Sequence, residues 1–261
     1  MASSEESGPV ESTGSLAARP LLEFHQVSKT FKDGTAAVGD VTMSVSAGEV
    51  VSIVGPSGCG KSTLLRCAAG LETPTTGAVE ADRANLGYVF QDPTLLPWRT
   101  VEGNVELLAE LDGVPKAERS RLVDDALTLV GLSEARRQLP RQLSGGMRMR
   151  ASLARTLVLD PAVVLFDEPF GSLDEITRER LNDEVQTVLR ARRAAALFVT
   201  HSISEAVFLS HRVLVMSRAP GRIVEEVEIP FPFPRPHELR YEPEFARISG
   251  RISQALREGS R

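Results

Sequence analysis

The segment Gly55–Ser62, GPSGCGKS, constrains the fold of this chain more than any other. It follows the continuous apolar run VVSIV and precedes a segment of helical character that extends from Lys61 to a terminating Gly70. Glycines allow backbone conformations in which successive N–H groups point at one anion, and the following helix directs its positive end to the same place. Strand, loop and helix together predict a phosphate-binding loop.

This loop supplies the first group of candidate site residues. Lys61 is expected to reach the β- and γ-phosphates as a point charge, and Ser62 to ligate Mg²⁺. The alternative is a Gly-rich turn with a chance lysine, and the flanking strand and helix argue against it. Since Cys59 lies inside the loop, we expect a thiol reagent to inhibit the protein and ATP to protect this cysteine. The residues predicted to contact ATP here are Gly55, Pro56, Ser57, Gly58, Cys59, Gly60, Lys61, Ser62 and Thr63.

A second apolar run, VVLFDEP at residues 163–169, ends in two carboxylates. Ligands of open α/β sheets bind at the carboxyl ends of the strands, so these side chains are predicted to lie near the phosphate loop. Asp167 suits a Mg²⁺-holding role, and Glu168 suits a general base that polarises the attacking water. A solvated strand end is the alternative for this motif taken alone.

The residues LSGGM at 143–147 separate this chain from other proteins with a phosphate loop. Ser144, Gly145 and Gly146 lead into a helix predicted to begin near Met147, which makes a second anion-binding helix start. For these residues alone, a plain helix cap is the alternative.

With the two earlier motifs, LSGGM makes the chain resemble the nucleotide-binding subunits of ABC transporters from about Leu21 to Arg222. Met147 replaces the glutamine of the commonest signature, a substitution familiar among importer ATPases. The resemblance implies ATP and Mg²⁺ as ligands and a head-to-tail homodimer. In that dimer, LSGG of one subunit covers ATP held by the phosphate loop of the other.

The resemblance assigns roles to several isolated residues. Gln91 corresponds to a loop glutamine that touches Mg²⁺ or the attacking water, and His201 to a histidine that contacts the γ-phosphate; a structural histidine is the alternative. Asp174 corresponds to a loop across the dimer interface, or to a helix N-cap, or to both. Phe31 stands where the family stacks an aromatic ring on adenine, unless it only packs locally. Trp98 either packs under its loop or contacts a membrane partner.

The order of elements predicts an α/β fold: a phosphate-loop ATPase core with a mainly parallel sheet, an antiparallel β subdomain and an inserted helical subdomain. We expect a disordered tail over residues 1–20 and an ATPase domain over 21–230. The helical subdomain covers about 92–160, and a C-terminal extension covers 231–261 with a short helical piece. The chain contains no internal repeat, which predicts one ATPase unit.

Composition excludes several classes of protein. A net charge of −5 and a pI of about 5.5 argue against a nucleic-acid partner. The two cysteines are too few for a disulfide framework and are expected to be reduced thiols. No apolar stretch is long enough to span a bilayer, and no signal peptide is recognisable. Work at a membrane would therefore require a second chain.

The segments LLPWRT, FVTHSISEAVFLSHRV and APGRI are most similar to ATPases of the nitrate, sulfonate and taurine importer group. The stretch between Gly77 and Gln91 looks shorter than is usual there. The similarity implies membrane-spanning permease subunits, an indirect link to a solute-binding protein, and a peripheral position at the cytoplasmic face of the membrane. The alternatives are a soluble ABC ATPase of DNA repair or translation, and an exporter ATPase subunit.

Overall fold

The computed structural model of this protein describes residues 20–259. The predicted disordered tail therefore lies outside the described residues, apart from Pro20. The strands are β1 (Pro20–Thr30), β2 (Ala36–Ser46), β3 (Val50–Val54), β4 (Thr76–Ala81), β5 (Leu86–Val89), β6 (Val163–Asp167), β7 (Ala195–Thr200), β8 (Arg212–Met216) and β9 (Ile223–Glu228). The α-helices are α1 (Lys61–Ala68), α2 (Val101–Leu111), α3 (Lys116–Leu129), α4 (Gly145–Leu157), α5 (Glu175–Arg192), α6 (Ile203–Leu209) and α7 (Pro243–Glu258).

The larger sheet has six strands in the order β5-β6-β7-β3-β8-β9. Its strands are parallel except β9, which pairs antiparallel with β8. Every residue of β3, β6 and β7 is buried, as expected of continuous apolar runs in a sheet that is covered on both faces. The predicted parallel crossovers are confirmed.

Side-chain alternation divides the core between the two faces of this sheet. One face packs on α1 and on the smaller antiparallel sheet, whose order is β2-β1-β4, through residues such as Ile53 and Leu197. The other face packs on α4, α5, α6 and α7 through residues such as Phe166 and Phe198, whose rings stack 4.0 Å apart. The α/β fold with a mainly parallel sheet and a separate antiparallel sheet is as predicted.

The helices α2, α3 and α4 lie between β5 and β6 in the chain, where the inserted helical segment was expected. The helix predicted near Met147 begins two residues earlier, at Gly145, because Ser144 accepts a hydrogen bond from the Met147 N–H and caps it. Gly70 ends the first helix as predicted, with a positive φ of 71°.

The C-terminal helix α7 is 16 residues long, more than the short piece predicted. Phe245 and Ile252 bury their side chains in the same core as α6. None of the helices in the described part of the chain is long and apolar enough to cross a membrane.

Candidate functional site

The loop between β3 and α1 forms one wall of a cleft of about 280 Å³ at the carboxyl end of the parallel strands. Gly60, with φ of 101°, packs so closely on the backbone that an added Cβ would lie 2.4 Å from the Ala37 oxygen. A Cβ added to Gly58 would meet nothing within 4 Å, so this part of the loop presents backbone to open space. The cleft is lined by Phe31, Thr35, Ala37, Ser57, Gly58, Gly60, Lys61, Ser62, Thr63, Glu168 and Ala219.

The Lys61 ammonium is held against its own loop. Its Nζ donates hydrogen bonds to the carbonyl oxygens of Gly55 and Pro56, at 2.9 and 3.0 Å. An ammonium has three N–H donors, so one donor and the full charge remain for the cleft. The same Nζ lies 3.8 Å from Oε1 of Glu168, so a lysine and a carboxylate of opposite charge lie close together in the cleft.

Asp167 and Ser62 meet at the base of the cleft. The Ser62 hydroxyl donates to Oδ1 of Asp167 at 2.6 Å, and the hydroxyl of Tyr88 donates to Oδ2 at 2.9 Å. Burial, followed by the charge of Asp167, raises the pKa of Tyr88, so its hydroxyl stays a donor. Tyr88 was missed in the sequence, although it lies on β5, the parallel neighbour of the strand that ends at Asp167.

Glu168 is the first residue after β6 and has a positive φ of 46°, which is uncommon for a residue with a side chain. Its backbone N–H remains paired with the Val199 oxygen at 2.9 Å. Its Oε2 lies 3.0 Å from Nδ1 of His201, at the end of the neighbouring strand. The carboxylate is therefore held between His201 and Lys61.

Gln91 approaches the same place from β5. A Cβ added to Gly171 would lie 3.5 Å from Cε1 of His201 and 3.7 Å from Nε2 of Gln91, so both side chains lie against this glycine. The structure thus brings Gln91, His201 and Glu168 together from the ends of three neighbouring strands, and their roles in hydrolysis stay predictions.

Phe31 follows β1 and lies partly buried at the edge of the cleft. The ammonium of Lys29 is 5.3 Å from its ring centroid. The turn after β1 therefore places an aromatic ring at the edge of the cleft, where a planar base could stack on it.

Cys59 does not behave as expected of a cleft residue. Its side chain is 1% exposed and belongs to the core beneath the loop, with Sγ close to Gly55. Burial is the main cause of a raised pKa for this thiol. Cys59 is not among the residues that line the cleft, and its burial argues against ready access of a thiol reagent; inhibition by alkylation and protection by ATP stay predictions. Both cysteines are free and buried.

Ser144 and Asp174 lie apart from the residues that line this cleft. Asp174 caps α5 by accepting the Thr177 N–H at 3.0 Å, and this bond lowers the pKa of its carboxyl group. Gly145 and Gly146 pack close to Leu173 and to Thr177 respectively. The LSGG segment and the Asp174 loop therefore form a second polar surface, with two helix starts side by side.

Three further residues support the loops of the site, and sequence reasoning did not find them. Arg178 donates to the carbonyl oxygens of Phe170 and Leu173 and so fixes the loop that leads from Glu168 to Asp174. Arg155 of α4 donates to the carbonyls of Pro93 and Thr94, just after Gln91. Glu205 is buried close to His201, and its burial raises its pKa. Each is an ordinary charged residue in a helix, without a local motif.

A glycine-rich loop at a helix start, a hydroxyl beside a strand-end aspartate, and a glutamate next to a lysine define a phosphate-loop nucleotide hydrolase. Residues 38–171 match the ABC transporter family. The chain is 40% identical over 257 residues to the aliphatic sulfonates import ATP-binding protein SsuB 2 of Burkholderia lata, covering 96% of this chain and 91% of the relative. It is 40% identical over 251 residues to the nitrate import ATP-binding protein NrtD of Synechococcus elongatus, covering 91% and 92%.

Solved structures agree with this family. The ATP-binding cassette MJ0796, a dimer in a post-hydrolysis state bound to ADP and Pi, matches with a TM-score of 0.70 at 29% identity, covering 80% of this chain and 99% of that one. The chain belongs to the ABC transporter family and is an ATPase of that family.

Proposed function

We propose that this chain is the ATP-hydrolysing subunit of an ABC importer and works as a homodimer against separate membrane-spanning permease subunits. The observation that carries the proposal is the placement of Glu168 between Lys61 and His201 beside the phosphate loop. The import ATP-binding proteins named above support the importer class. The same relatives suggest a nitrate- or sulfonate-like solute. The sequence resemblance adds taurine-like solutes and delivery by a solute-binding protein to this proposal.

The chemistry assigned to the cleft follows from its donors and acceptors. Backbone N–H groups of the loop and the remaining Lys61 donor bind the phosphates of ATP, and Phe31 stacks on the adenine. Glu168 accepts a proton from the attacking water, while His201 orients that carboxylate and contacts the γ-phosphate. Gln91, which lies against Gly171 together with His201, positions the water.

The hydroxyl of Ser62 and the carboxylate of Asp167, 2.6 Å apart, are hard oxygen donors of the kind that Mg²⁺ prefers. These two residues would hold Mg²⁺, with Gln91 as the third candidate ligand, and the ion would supply positive charge to the phosphate oxygens. Tyr88 keeps the Asp167 carboxylate oriented from its other oxygen.

The dimer follows from the separation of the two anion-binding surfaces. The start of α4, at Ser144 to Gly146, does not line the ATP cleft of its own chain. In a head-to-tail pair, this surface and the neighbouring Asp174 loop would cover ATP held by the partner subunit. The solved dimer of MJ0796 with ADP and Pi supports dimer formation.

A groove between the sheet edge and the inserted helices is our candidate for the permease contact. It has a volume of about 400 Å³ and is lined by Tyr88, Phe90, Leu107, Leu108 and other residues. Trp98 is 72% exposed, so it does not pack under its loop and is free to contact a partner. Binding there would hold the ATPase at the cytoplasmic face of the membrane.

Arg155 supports a route from this groove to the ATP. It lines the groove, and its guanidinium holds the loop after Gln91 to α4, the helix that begins at Gly145. Movement of α4 against the sheet would therefore shift Gln91 and the signature segment together. We propose that dimer closure and reopening reach the permease through this connection.

The test is Glu168→Gln, which keeps the side chain's size but cannot act as a base. ATP binding should persist, hydrolysis should fall by about 10² to 10⁴, and size-exclusion chromatography with Mg-ATP should show a stable dimer. Glu118→Gln, on the exposed surface of α3, is the matched control and should behave as wild type. Hydrolysis at the wild-type rate would contradict the base, and ATP binding without dimer formation would contradict the shared site.

A further inference from the structure

A further cavity lies at the end of the six-stranded sheet opposite the phosphate loop. It has a volume of about 400 Å³ and is bordered by Val50 at the start of β3, Ala194 just before β7 and His211 just before β8. These positions are the amino ends of the parallel strands, whereas the phosphate loop follows the carboxyl end of β3. We call this space the amino-end cavity. Its volume falls within the range of about 300 to 1,000 Å³ typical of small-molecule sites.

Apolar side chains form most of the wall of the amino-end cavity. Leu189 comes from α5, Leu209 from α6, and Phe233 from the Pro-rich segment after β9. The Phe233 ring lies 4.7 Å from the ring of His211. An apolar or aromatic body could therefore be enclosed here, since none of the described lining residues carries an unpaired buried side-chain polar atom.

The polar part of the cavity is positively charged. Arg190 and Arg193 line it, are exposed, and make no side-chain hydrogen bond or ion pair with any residue in the described range 20–259. No carboxylate is among the described residues that line it. Glu49, in the adjoining turn, is already bound to Arg212 at 2.6 Å. Two guanidinium groups are thus left to face the same space.

A third arginine, buried behind the side chains that line the cavity, adds positive charge. Arg235 is 3% exposed, and its guanidinium lies 4.0 Å from the centroid of the Phe233 ring. Among the described residues, its guanidinium donors meet only backbone carbonyls, namely those of Phe231, Val207, Phe208 and Ser210. No carboxylate neutralises it by a contact within the described residues, so the potential in the cavity favours an anion.

We propose that the amino-end cavity binds a small amphipathic anion: an apolar or aromatic body that carries one carboxylate or sulfonate. The body packs against Leu189, Leu209 and Phe233, and the anionic group accepts hydrogen bonds from Arg190 and Arg193. Guanidinium groups suit such anions because they can donate two parallel hydrogen bonds to a planar carboxylate or to two sulfonate oxygens.

The position of the cavity gives its ligand a connection to the cleft. Helix α5 runs from just after Asp174 to Arg192, and α6 runs from just beyond His201 to Leu209, so both extend from the candidate catalytic loops to the cavity. A ligand between their ends could alter hydrolysis. This consequence rests on the proposed function, whereas the binding site itself does not.

The probe is 8-anilinonaphthalene-1-sulfonate, an aromatic sulfonate whose fluorescence rises in apolar surroundings. Titration of the full chain should give saturable binding to one site, which ATP does not displace. The Kd should rise at least about tenfold in the double variant Arg190→Gln, Arg193→Gln, because two charge-assisted hydrogen bonds are lost. The matched control, Arg121→Gln with Arg141→Gln, removes two exposed arginines elsewhere and should leave the Kd unchanged.

Two comparisons complete the test. N-phenyl-1-naphthylamine lacks the sulfonate and should bind wild type and the double variant equally. Lys61→Ala should keep the probe's Kd, so a failure of the proposed cleft would not be confused with a failure here. An unchanged Kd in the double variant, displacement by ATP, or absence of saturable binding would each overturn the proposal.

The chain itself offers one competing anion. Pro20 pairs with Ser46, next to Ala47 of the cavity, and the residues before it include Glu5, Glu6 and Glu11. If the cavity serves a small molecule, Glu5→Gln, Glu6→Gln, Glu11→Gln should leave the probe's Kd within about twofold. A tenfold tightening would show that the chain's own acidic segment occupies the cavity, and would overturn the proposal.

Discussion

The two ends of the six-stranded sheet are built in different ways. At the carboxyl end, short contiguous motifs supply the cleft, and its polar side chains pair with one another, as Ser62 does with Asp167 and His201 with Glu168. At the amino end, the cavity is assembled from separate segments, and its two arginines pair with none of the described residues. A cleft made from motifs can be predicted from a sequence, and a cavity made by topology cannot.

The two ends of the sheet also differ in how their charged side chains are compensated. In the cleft, Lys61 lies 3.8 Å from Glu168, so charges of opposite sign are matched before any ligand binds. Around the amino-end cavity, Arg235 is buried among carbonyls, and burial lowers its pKa to about 10. The guanidinium therefore remains charged at neutral pH. If the first end is catalytic and the second is structural and ligand-binding, substitutions at the two ends should separate activity from stability.

The largest effect is expected from Lys61→Ala. Hydrolysis should fall by at least about 10³, because one cation facing the phosphates is lost while the loop's backbone donors remain. Nucleotide affinity should also weaken. Steady-state phosphate release and fluorescent-nucleotide binding measure the two effects, and Lys32→Ala, an exposed lysine after β1, is the control. Near-normal ATP turnover in Lys61→Ala would contradict the catalytic role of the carboxyl end of the sheet.

The next effect concerns Arg235→Met, which should reduce the free energy of unfolding by about 2 kcal/mol and leave the KM for ATP unchanged. The substitution leaves the carbonyls at the end of α6 without their donor, although it also removes the cost of burying a charge. Urea unfolding monitored by circular dichroism gives the stability change, and Arg218→Met, an exposed arginine, gives the baseline. A stability equal to wild type would contradict the capping role.

Arg235 also marks the limit of prediction from the sequence. The segment FPFPRP was expected only to break regular structure, and residues 231–236 do lack a helix or strand. Nothing in that pattern places its arginine under α6, since the contact depends on the path of the chain after β9. In contrast, the proximity of Lys61 and Asp167 could be predicted, because the carboxyl ends of parallel strands such as β3 and β6 lie at one edge of the sheet.

Asp174 and Tyr88 show what a local sequence pattern can and cannot predict for a single residue. Asp174 was expected to cap a helix or to cross an interface, and the cap is observed. The interface role stays a prediction, as do the domain boundaries. Tyr88 was missed because a tyrosine in a strand usually packs, and only the pairing of β5 with β6 reveals its hydroxyl beside Asp167.

A smaller effect is expected from Tyr88→Phe, which removes one hydrogen bond to Asp167. Activity at limiting Mg²⁺ should fall by about three- to tenfold and recover at high Mg²⁺, because the carboxylate is less well oriented but still present. The Mg²⁺ concentration at half-maximal activity is the measurement. Tyr241→Phe, on an exposed tyrosine, should change nothing. A fall that Mg²⁺ does not reverse would contradict the positioning role.

The smallest effect on activity should come from Cys59, although it lies in the phosphate loop itself. Its Sγ faces the core, so Cys59→Ala should stay within about twofold of the wild-type rate. Because burial raises the pKa of this thiol, the thiolate is scarce at neutral pH, and alkylation by iodoacetamide should be slow and should accelerate as the pH rises.

The matched control is Ser57→Cys in the Cys59→Ala background, because Ser57 is exposed at the cleft while Cys59 is buried. The introduced thiol should react at least about tenfold faster than Cys59 at about pH 7.5, and ATP should protect it. Mass spectrometry of the alkylated peptides resolves both sites, and denatured protein gives the reference rate. Should native Cys59 react as fast as the thiol introduced by Ser57→Cys, its side chain must reach the cleft. The burial of the Cys59 thiol would then be contradicted, and with it the contrast between this core-facing side chain and the cleft-facing side chain of Ser57.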